Sequence, residues 1–245
     1  KATSSGGNMA TARFGSAAGG AGPQSASIFF GGATNTPGTS ITAASEEYFG
    51  HTWFTTANLN TARYYLSGFG TQSAAVAAGG FVTTNKSEVE EYNGSSWSEV
   101  NDIPTAGRSH GAAGTLTAGL IFGAANSPQV KTFEYDGTNW TAGGDLNTGR
   151  KYMAGTGTQT AALAAGGSFG LPVQSNDTEE YDGSSWTSVN NFNTARRALT
   201  GFGIQTSSAI GGGTNGSSNQ TGIEEYDGTN WTTSPATLST ARRYL

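Results

Sequence analysis

Short apolar segments alternate with turn residues along the whole chain, and the segments are too short and too rich in glycine for helices. The segment at 198–203, Ala-Leu-Thr-Gly-Phe-Gly, is typical, because small residues surround a single aromatic one. Segments of this kind that are bounded by Gly, Asn, Asp and Ser indicate β-strands joined by tight turns. The pattern therefore predicts an all-β protein.

One aromatic pattern recurs five times: a tyrosine is followed five residues later by a tryptophan, within segments such as Glu-Glu-Tyr-Asp-Gly-Thr-Asn-Trp. The tyrosines are Tyr48, Tyr92, Tyr135, Tyr181 and Tyr226, and the tryptophans are Trp53, Trp97, Trp140, Trp186 and Trp231. A period of about 45 residues indicates a repeat architecture. Because these offsets are fixed, we expect an ordered chain despite its 38 glycines.

Each repeat has the same internal order. It begins with a tag, Thr-Ala-Arg or a close variant, whose arginine is Arg13, Arg63, Arg108, Arg150 or Arg196. Two strands follow, and the second ends in a Gly pair. The repeat is completed by a loop of variable length, the Glu-Glu-Tyr strand, an Asp-Gly or Asn-Gly turn and the Trp strand. Asn-Gly and Asp-Gly readily adopt the positive φ angles of tight hairpins. Four antiparallel strands repeated in tandem predict a β-propeller with one blade per repeat.

We interpret residues 1–245 as a single propeller with repeats at 10–58, 59–103, 104–146, 147–192 and 193–239. Five blades are expected, because the inner strands carry almost no side-chain bulk and a small ring requires close approach at its axis. Residues 1–9 are a candidate extra outer strand. Residues 240–245 form a sixth tag, which either closes the ring or begins a further repeat. In the second case the chain is a fragment of a six-bladed ring.

This order of motifs resembles the kelch repeat, the blade unit of one family of β-propellers. The motifs that carry the resemblance are the Arg tag, the apolar strand, Gly-Gly, Glu-x-Tyr-Asp and Trp. The first and third repeats depart from it, with Phe49-Gly50-His51 in place of Asp-Gly, and with Phe133 and Ala124. Segments such as Asn-Thr-Ala-Arg and Tyr-Asp-Gly-Thr-Asn-Trp are similar in style to kelch-like arrays on virion proteins of marine tailed phages. The resemblance implies a propeller that binds partners, on a virion in the phage case and as an intracellular adaptor in others.

Composition narrows the function. Charged residues make up 12% of the chain, the net charge is −5, and no basic stripe with interleaved aromatics suggests nucleic acid. Cysteine is absent, which excludes disulfides and thiol chemistry, and the two histidines lie in unrelated repeats, so we expect neither a metal site nor another cofactor. No apolar run reaches membrane-spanning length, so membrane insertion is not expected.

The repeated arginines and glutamates have two interpretations. In the first, each tag arginine pairs with a glutamate of the same or an adjacent blade as a clamp, with Arg196 and Glu180 as a test pair. In the second, the arginines form a ring at the channel mouth that captures an anion, such as a sialic-acid carboxylate. Repetition in every blade favours the clamp, since function usually resides at unequal sites. For the same reason the Tyr and Trp positions favour inter-blade packing over sugar stacking.

Enzymatic function is not expected. A kelch-type copper oxidase uses a Tyr crosslinked to Cys, which this chain lacks, and no unequal pair of carboxylates suggests a glycosidase. Variable loops on a rigid scaffold are where binding is usually located. The loops at 33–45, 81–89, 125–132, 168–178 and 214–223 share a face with the tags. Their candidate ligand-binding residues are Asn35, Asn85, Lys86, Asn126, Gln129, Asn176 and Asn215.

The sequence therefore predicts a non-catalytic binding or structural module on a phage tail or fibre, on the virion or extracellular. Its expected partner is a host surface glycan or another virion protein. An intracellular, cytoplasmic adaptor for protein interactions is the alternative. A secreted carbohydrate-active enzyme is the third hypothesis.

Overall fold

The structure is a computed structural model that describes residues 6–19, 25–126, 129–170 and 173–244. Within these residues every regular element is a β-strand and no helix is present. Five four-stranded antiparallel sheets form the blades of a β-propeller, and each sheet keeps its strands in chain order. The predicted all-β propeller with five blades is confirmed. In the part of the chain so described, nothing helical is long and apolar enough to cross a membrane.

Each blade runs from an inner strand near the axis to an outer strand that begins at the tryptophan of the repeated motif. Blade 4 has one extra two-stranded hairpin in the loop between its second strand and its Glu-Glu-Tyr strand. The strands are, in blade 1, β1 (Ala17–Gly19), β2 (Ala26–Phe30), β3 (Ser45–Phe49) and β4 (Trp53–Thr56); in blade 2, β5 (Ser67–Thr71), β6 (Ala74–Ala78), β7 (Val89–Tyr92) and β8 (Trp97–Val100); in blade 3, β9 (Gly111–Thr115), β10 (Ala118–Phe122), β11 (Thr132–Tyr135) and β12 (Trp140–Ala142); in blade 4, β13 (Ala154–Thr158), β14 (Ala161–Ala165), β15 (Ser168–Gly170), β16 (Val173–Gln174), β17 (Thr178–Tyr181) and β18 (Trp186–Val189); and in blade 5, β19 (Thr200–Ile204), β20 (Ser207–Gly211), β21 (Gly222–Tyr226) and β22 (Trp231–Thr237).

The outer hairpins are specified locally by their turn residues. In blade 4, Gly183 has a φ of 91°, which side chains other than glycine rarely adopt. Asp182 accepts hydrogen bonds from the backbone N–H groups of Ser184 and Ser185, both at 2.8 Å. These hydrogen bonds lower the pKa of Asp182 to about 2. The turn then sets the register in which Tyr181 lies opposite Trp186.

Adjacent blades are joined by four small hydrophobic cores, one each between blades 1 and 2, 2 and 3, 3 and 4, and 4 and 5. In the first, Phe30 of blade 1 packs edge-on against Trp97 of blade 2, with ring centroids 4.8 Å apart. Phe122 and Trp186 repeat this contact between blades 3 and 4 at the same separation. Each blade alone buries little, so the stack of blades supplies the core.

Blades 5 and 1 are separated by a seam. Among the described residues no buried core joins them, and Phe202 on the outward side of blade 5 is 57% exposed. The equivalent Phe69 of blade 2 is only 3% exposed, because it packs near Tyr135 of blade 3. Blade 5 therefore presents to solvent a face that every other blade buries.

The described residues nearest the two ends of the chain contact blades 1 and 5. Residues 6–9 form no strand, although Gly7 bonds the backbone of His51 and accepts the indole N–H of Trp53. The candidate extra strand is therefore not formed in the described part of 1–9. At the other end, the backbone oxygen of Arg242 accepts the N–H of Gly213, in the same way that Arg63 accepts the N–H of Gly32. The sixth tag therefore contacts the Gly pair of blade 5, just as the second tag contacts the Gly pair of blade 1.

Candidate functional site

Four tag arginines form buried ion pairs with the first glutamate of the third strand in the same repeat. In blade 5, Arg196 Nη2 lies 2.8 Å from Glu224 Oε1, and Nη1 donates to the backbone oxygens of Gly212 and Gly222. Glu224 also accepts the backbone N–H groups of Asn193 and Thr194. The same pairing joins Arg13 to Glu46, Arg63 to Glu90 and Arg150 to Glu179.

These pairs tie the tag, the Gly pair and the third strand of one repeat together. All eight side chains are at most 4% exposed, and burial lowers the pKa of the Arg196 guanidinium while Glu224 acts in the opposite direction. The partner of Arg196 is Glu224 rather than Glu180, which corrects the test pair chosen from the sequence. Glu180 belongs to blade 4, and it lies on the opposite face of its strand from Glu179, the glutamate that forms the ion pair in that blade.

The third repeat lacks this ion pair altogether. Gly107, and not Arg108, accepts the hydrogen bond from the preceding Gly pair, at Gly80, so Gly107 occupies the position of the clamp arginine. Phe133 occupies the position of the glutamate, and it is buried. Grouping Arg108 with the other tag arginines is therefore wrong: glycine replaces the clamp arginine at position 107, Arg108 lies one position later, and both members of the charged pair are replaced together.

The second glutamate of each third strand faces the next blade along the chain. There it accepts a hydrogen bond from the tyrosine of the repeated motif, as between Tyr181 and Glu134 at 2.6 Å. Burial, followed by this hydrogen bond, raises the pKa of Tyr181 to about 12. The other three pairs are Tyr92 with Glu47, Tyr135 with Glu91 and Tyr226 with Glu180.

The seam lacks this contact. Tyr48 of blade 1 donates to the backbone oxygen of Gly50 in its own turn, and Glu225 of blade 5 is exposed. The tryptophans lie beside the tyrosines, with ring centroids 4.7–5.0 Å apart in all five repeats. The aromatic positions of blades 2 to 5 thus lie between blades rather than on an open surface.

The loops between second and third strands lie beside the tags, because residues just after each tag arginine pair with residues just after the Gly pair, as Lys151 does with Ser168 and Arg197 with Thr214. We call this end of the propeller the tag face. Six of the seven candidate ligand-binding side chains make hydrogen bonds or an ion pair within this face: Asn35 with Thr39 and Ser40, Asn85 with Arg108, Lys86 with Glu88, Asn126 with Ala106, Asn176 with Phe192, and Asn215 with Ser217 and Ser218. The backbone oxygen of Gln129, the seventh, accepts the N–H of Arg150. Their role in binding stays a prediction.

At the centre of the tag face the backbone forms a ring that the sequence pattern did not predict. Six residues, each two positions after a clamp position, are linked in sequence: each of the last five donates its backbone N–H to the backbone oxygen of the one before it, at 2.6–3.0 Å. All six have φ between 54° and 61°. We call this set the hub ring: Gly15, Tyr65, Ser109, Tyr152, Ala198 and Tyr244.

Bulky and small residues alternate around the hub ring. The three tyrosine rings lie with centroids 5.2–5.6 Å apart and cover the tag end of the axis. Below them the inner strands line a cavity of about 200 Å³. Positive φ costs an ordinary residue on the order of 1 kcal/mol, so five non-glycine residues in this conformation indicate a geometry that the surrounding contacts enforce.

The residues that directly precede the hub ring differ in chemical type from repeat to repeat, and we call them the hub rim. They are Phe14, Tyr64, Arg108, Lys151, Arg197 and Arg243. Arg108, Lys151 and Arg197 lie close together, because the residues that directly follow them are joined by backbone hydrogen bonds. Burial, and then the positive charges of the two arginines, lower the pKa of Lys151. Sequence reasoning missed this cluster because it took Arg108 for the clamp arginine of the third tag, although Arg108 is equivalent to Lys151 and Arg197.

No group of three or more histidine or carboxylate side chains in the described segments is arranged to hold a metal ion. Neither a scan against protein-family models nor a search of curated proteins finds a match for the chain.

Proposed function

We propose that this chain is a non-catalytic binding and structural module, built of kelch-type blades, on the tail or fibre of a phage particle. Its partner is a host surface glycan or another virion protein, and it engages neither nucleic acid nor the membrane interior. The tag face is the surface that makes this contact.

The observation that carries this proposal is the contrast between the hub rim and the rest of the repeat. Most recurring charged residues are engaged in structure, in the clamps such as Arg150–Glu179 and in hydrogen bonds such as Tyr181–Glu134. At the hub rim, equivalent positions instead carry two aromatic and four basic residues. Function usually resides in unequal positions on an equal scaffold, and the variable loops surround this one.

The test measures binding of the labelled domain to two arrays. One array carries microbial surface polysaccharides and the other carries purified virion proteins. Two exposed positions of blade 5 offer matched blocking variants: Ser217→Trp at a loop on the tag face and Thr229→Trp at the turn of the opposite face. We expect binding to at least one probe, weakened at least about tenfold by Ser217→Trp alone, which is about 1.4 kcal/mol. Absence of binding on both arrays, or loss with Thr229→Trp instead, contradicts the proposal.

A further inference from the structure

We propose that the basic side of the hub rim, formed by Arg108, Lys151, Arg197 and Arg243, binds the oxyanion groups of an acidic polysaccharide. This inference rests on the proposed function, because it assigns a ligand class to the tag face. Four independent features of the molecule support it.

The first feature is where the positive charges of the chain are used. The chain has 12 lysines and arginines and a net charge of −5. Four arginines are neutralised in the buried clamps, and two lysines pair with surface carboxylates, Lys86 with Glu88 and Lys131 with Asp145. Lys1 lies outside the described residues, and Arg242 occupies the sixth clamp position. The remaining four are the basic residues of the hub rim, and among the described residues none of them forms a salt bridge.

The second feature is the convergence of these four residues. Each directly precedes a member of the hub ring, and neighbouring members are joined by backbone hydrogen bonds, from Tyr152 to Ser109 at 3.0 Å and from Ala198 to Tyr152 at 2.8 Å. Arg108, Lys151 and Arg197 are therefore held on neighbouring segments of one small circle. Like charges in such proximity repel each other, so a bound anion would relieve a cost that the folded chain otherwise carries.

The third feature is unused hydrogen-bonding capacity. Nε and Nη1 of Arg197, and Nε of Arg108, are enclosed and have no hydrogen-bond partner among the described residues. Arg108 uses Nη1 on Asn85 at 3.2 Å, and its guanidinium lies 4.1 Å from the centre of the Phe81 ring. This packing fixes the plane of the guanidinium, and a guanidinium held in place donates to a carboxylate or sulfate oxygen with little further loss of side-chain entropy.

The fourth feature is the shape of the surface. The tyrosines of the hub ring cover the axis, so the ligand lies across the mouth and does not enter the channel. Phe14, on the other side of the rim, is partly exposed and supplies an apolar surface next to the cations. A sugar ring presents C–H groups and an oxyanion together, which fits this division. An extended duplex would require a longer basic stripe than four residues around one circle.

Binding of three hexasaccharides of equal length tests the proposal: a sulfated heparin-derived one, a galacturonic-acid hexamer and neutral maltohexaose. The variants are Arg197→Gln and Lys151→Gln, and Thr229→Glu, at the exposed turn on the opposite face, is the control that changes the net charge by the same amount. Titration calorimetry is performed at two salt concentrations, and a thermal melt checks the folding of each variant.

We expect at least one acidic hexasaccharide to bind, with affinity reduced about tenfold or more by each hub-rim variant, unchanged by Thr229→Glu and weakened by salt. The preferred acid shows whether sulfate or carboxylate is the natural group. Equal binding of maltohexaose, no binding of either acid, or an equal effect of Thr229→Glu overturns the inference. If the tag face nevertheless binds a neutral glycan or a virion protein on the arrays, the proposed function stands and only the ligand class is wrong.

Discussion

Two neighbouring glutamates of blade 5 offer a sharp test of the clamp. Glu224 and Glu225 are adjacent in β21 and point to opposite faces, so Glu224→Gln and Glu225→Gln make the same chemical change in the same strand. Glu224 is 3% exposed and bound to Arg196 and to two backbone N–H groups. Glu225 faces the seam and is exposed.

The expected cost of Glu224→Gln follows from what it leaves behind. The Arg196 guanidinium remains buried without its counter-charge, and breaking a buried ion pair from one side costs about 3–5 kcal/mol. The glutamine carbonyl still accepts one hydrogen bond, so we expect about 3 kcal/mol. For a chain of this length that corresponds to a melting temperature lower by roughly 6–12 °C. Glu225→Gln should stay within about 0.5 kcal/mol of the parent.

Urea denaturation followed by circular dichroism measures these free energies of unfolding. A double-mutant cycle with Arg196→Met then isolates the pair, because Arg196→Met with Glu224→Gln removes both charges at once. We expect a coupling energy of about 2 kcal/mol or more. Equal effects of the two glutamate variants, or additive effects of Arg196→Met and Glu224→Gln, would refute the clamp.

Two other predictions concern the seam and the channel. Phe69→Ala should lower the free energy of unfolding by about 3–5 kcal/mol, because Phe69 packs against blade 3, whereas Phe202→Ala should lower it by less than about 1 kcal/mol. Equal losses of stability in thermal melts would show that the seam is closed in solution. His110 hydrogen-bonds Ser67, and burial lowers its pKa from 6.5 to about 4. As the pH falls, His110 is therefore protonated in the unfolded chain before it is protonated in the folded chain. The free energy of unfolding has its full value above pH 6.5 and falls by about 1–3 kcal/mol towards pH 4. His110→Leu, which installs the residue found at Leu66, should lose that part of the pH dependence; identical pH profiles of stability would contradict the assignment.

The candidate site shows how far sequence reasoning reached. Spacing predicted that tag arginines meet glutamates, yet it did not predict that Glu224 pairs within its own blade while Glu180 serves the neighbouring one. Glu224 is the first and Glu180 the second glutamate of its Glu-Glu-Tyr segment, and only the direction in which blades stack decides which of the two faces the neighbouring blade. Arg108 was grouped with the clamps because it is the arginine of the third tag, and only the hydrogen bond from Gly80 shows that Gly107 takes the clamp position.

The sequence alone determined the features that depend on near neighbours along the chain: β-strands, the Asp182-Gly183 type of hairpin turn, the register of Tyr181 opposite Trp186, and four strands in each of five blades. Turn chemistry and hydrophobic spacing act over a few residues, so a single repeat contains the whole signal. Tertiary structure alone decided the hub ring, the cluster of Arg108, Lys151 and Arg197, and the seam that exposes Phe202. These features join residues of different repeats, and they depend on how blades pack around the axis, which no segment of the sequence specifies by itself.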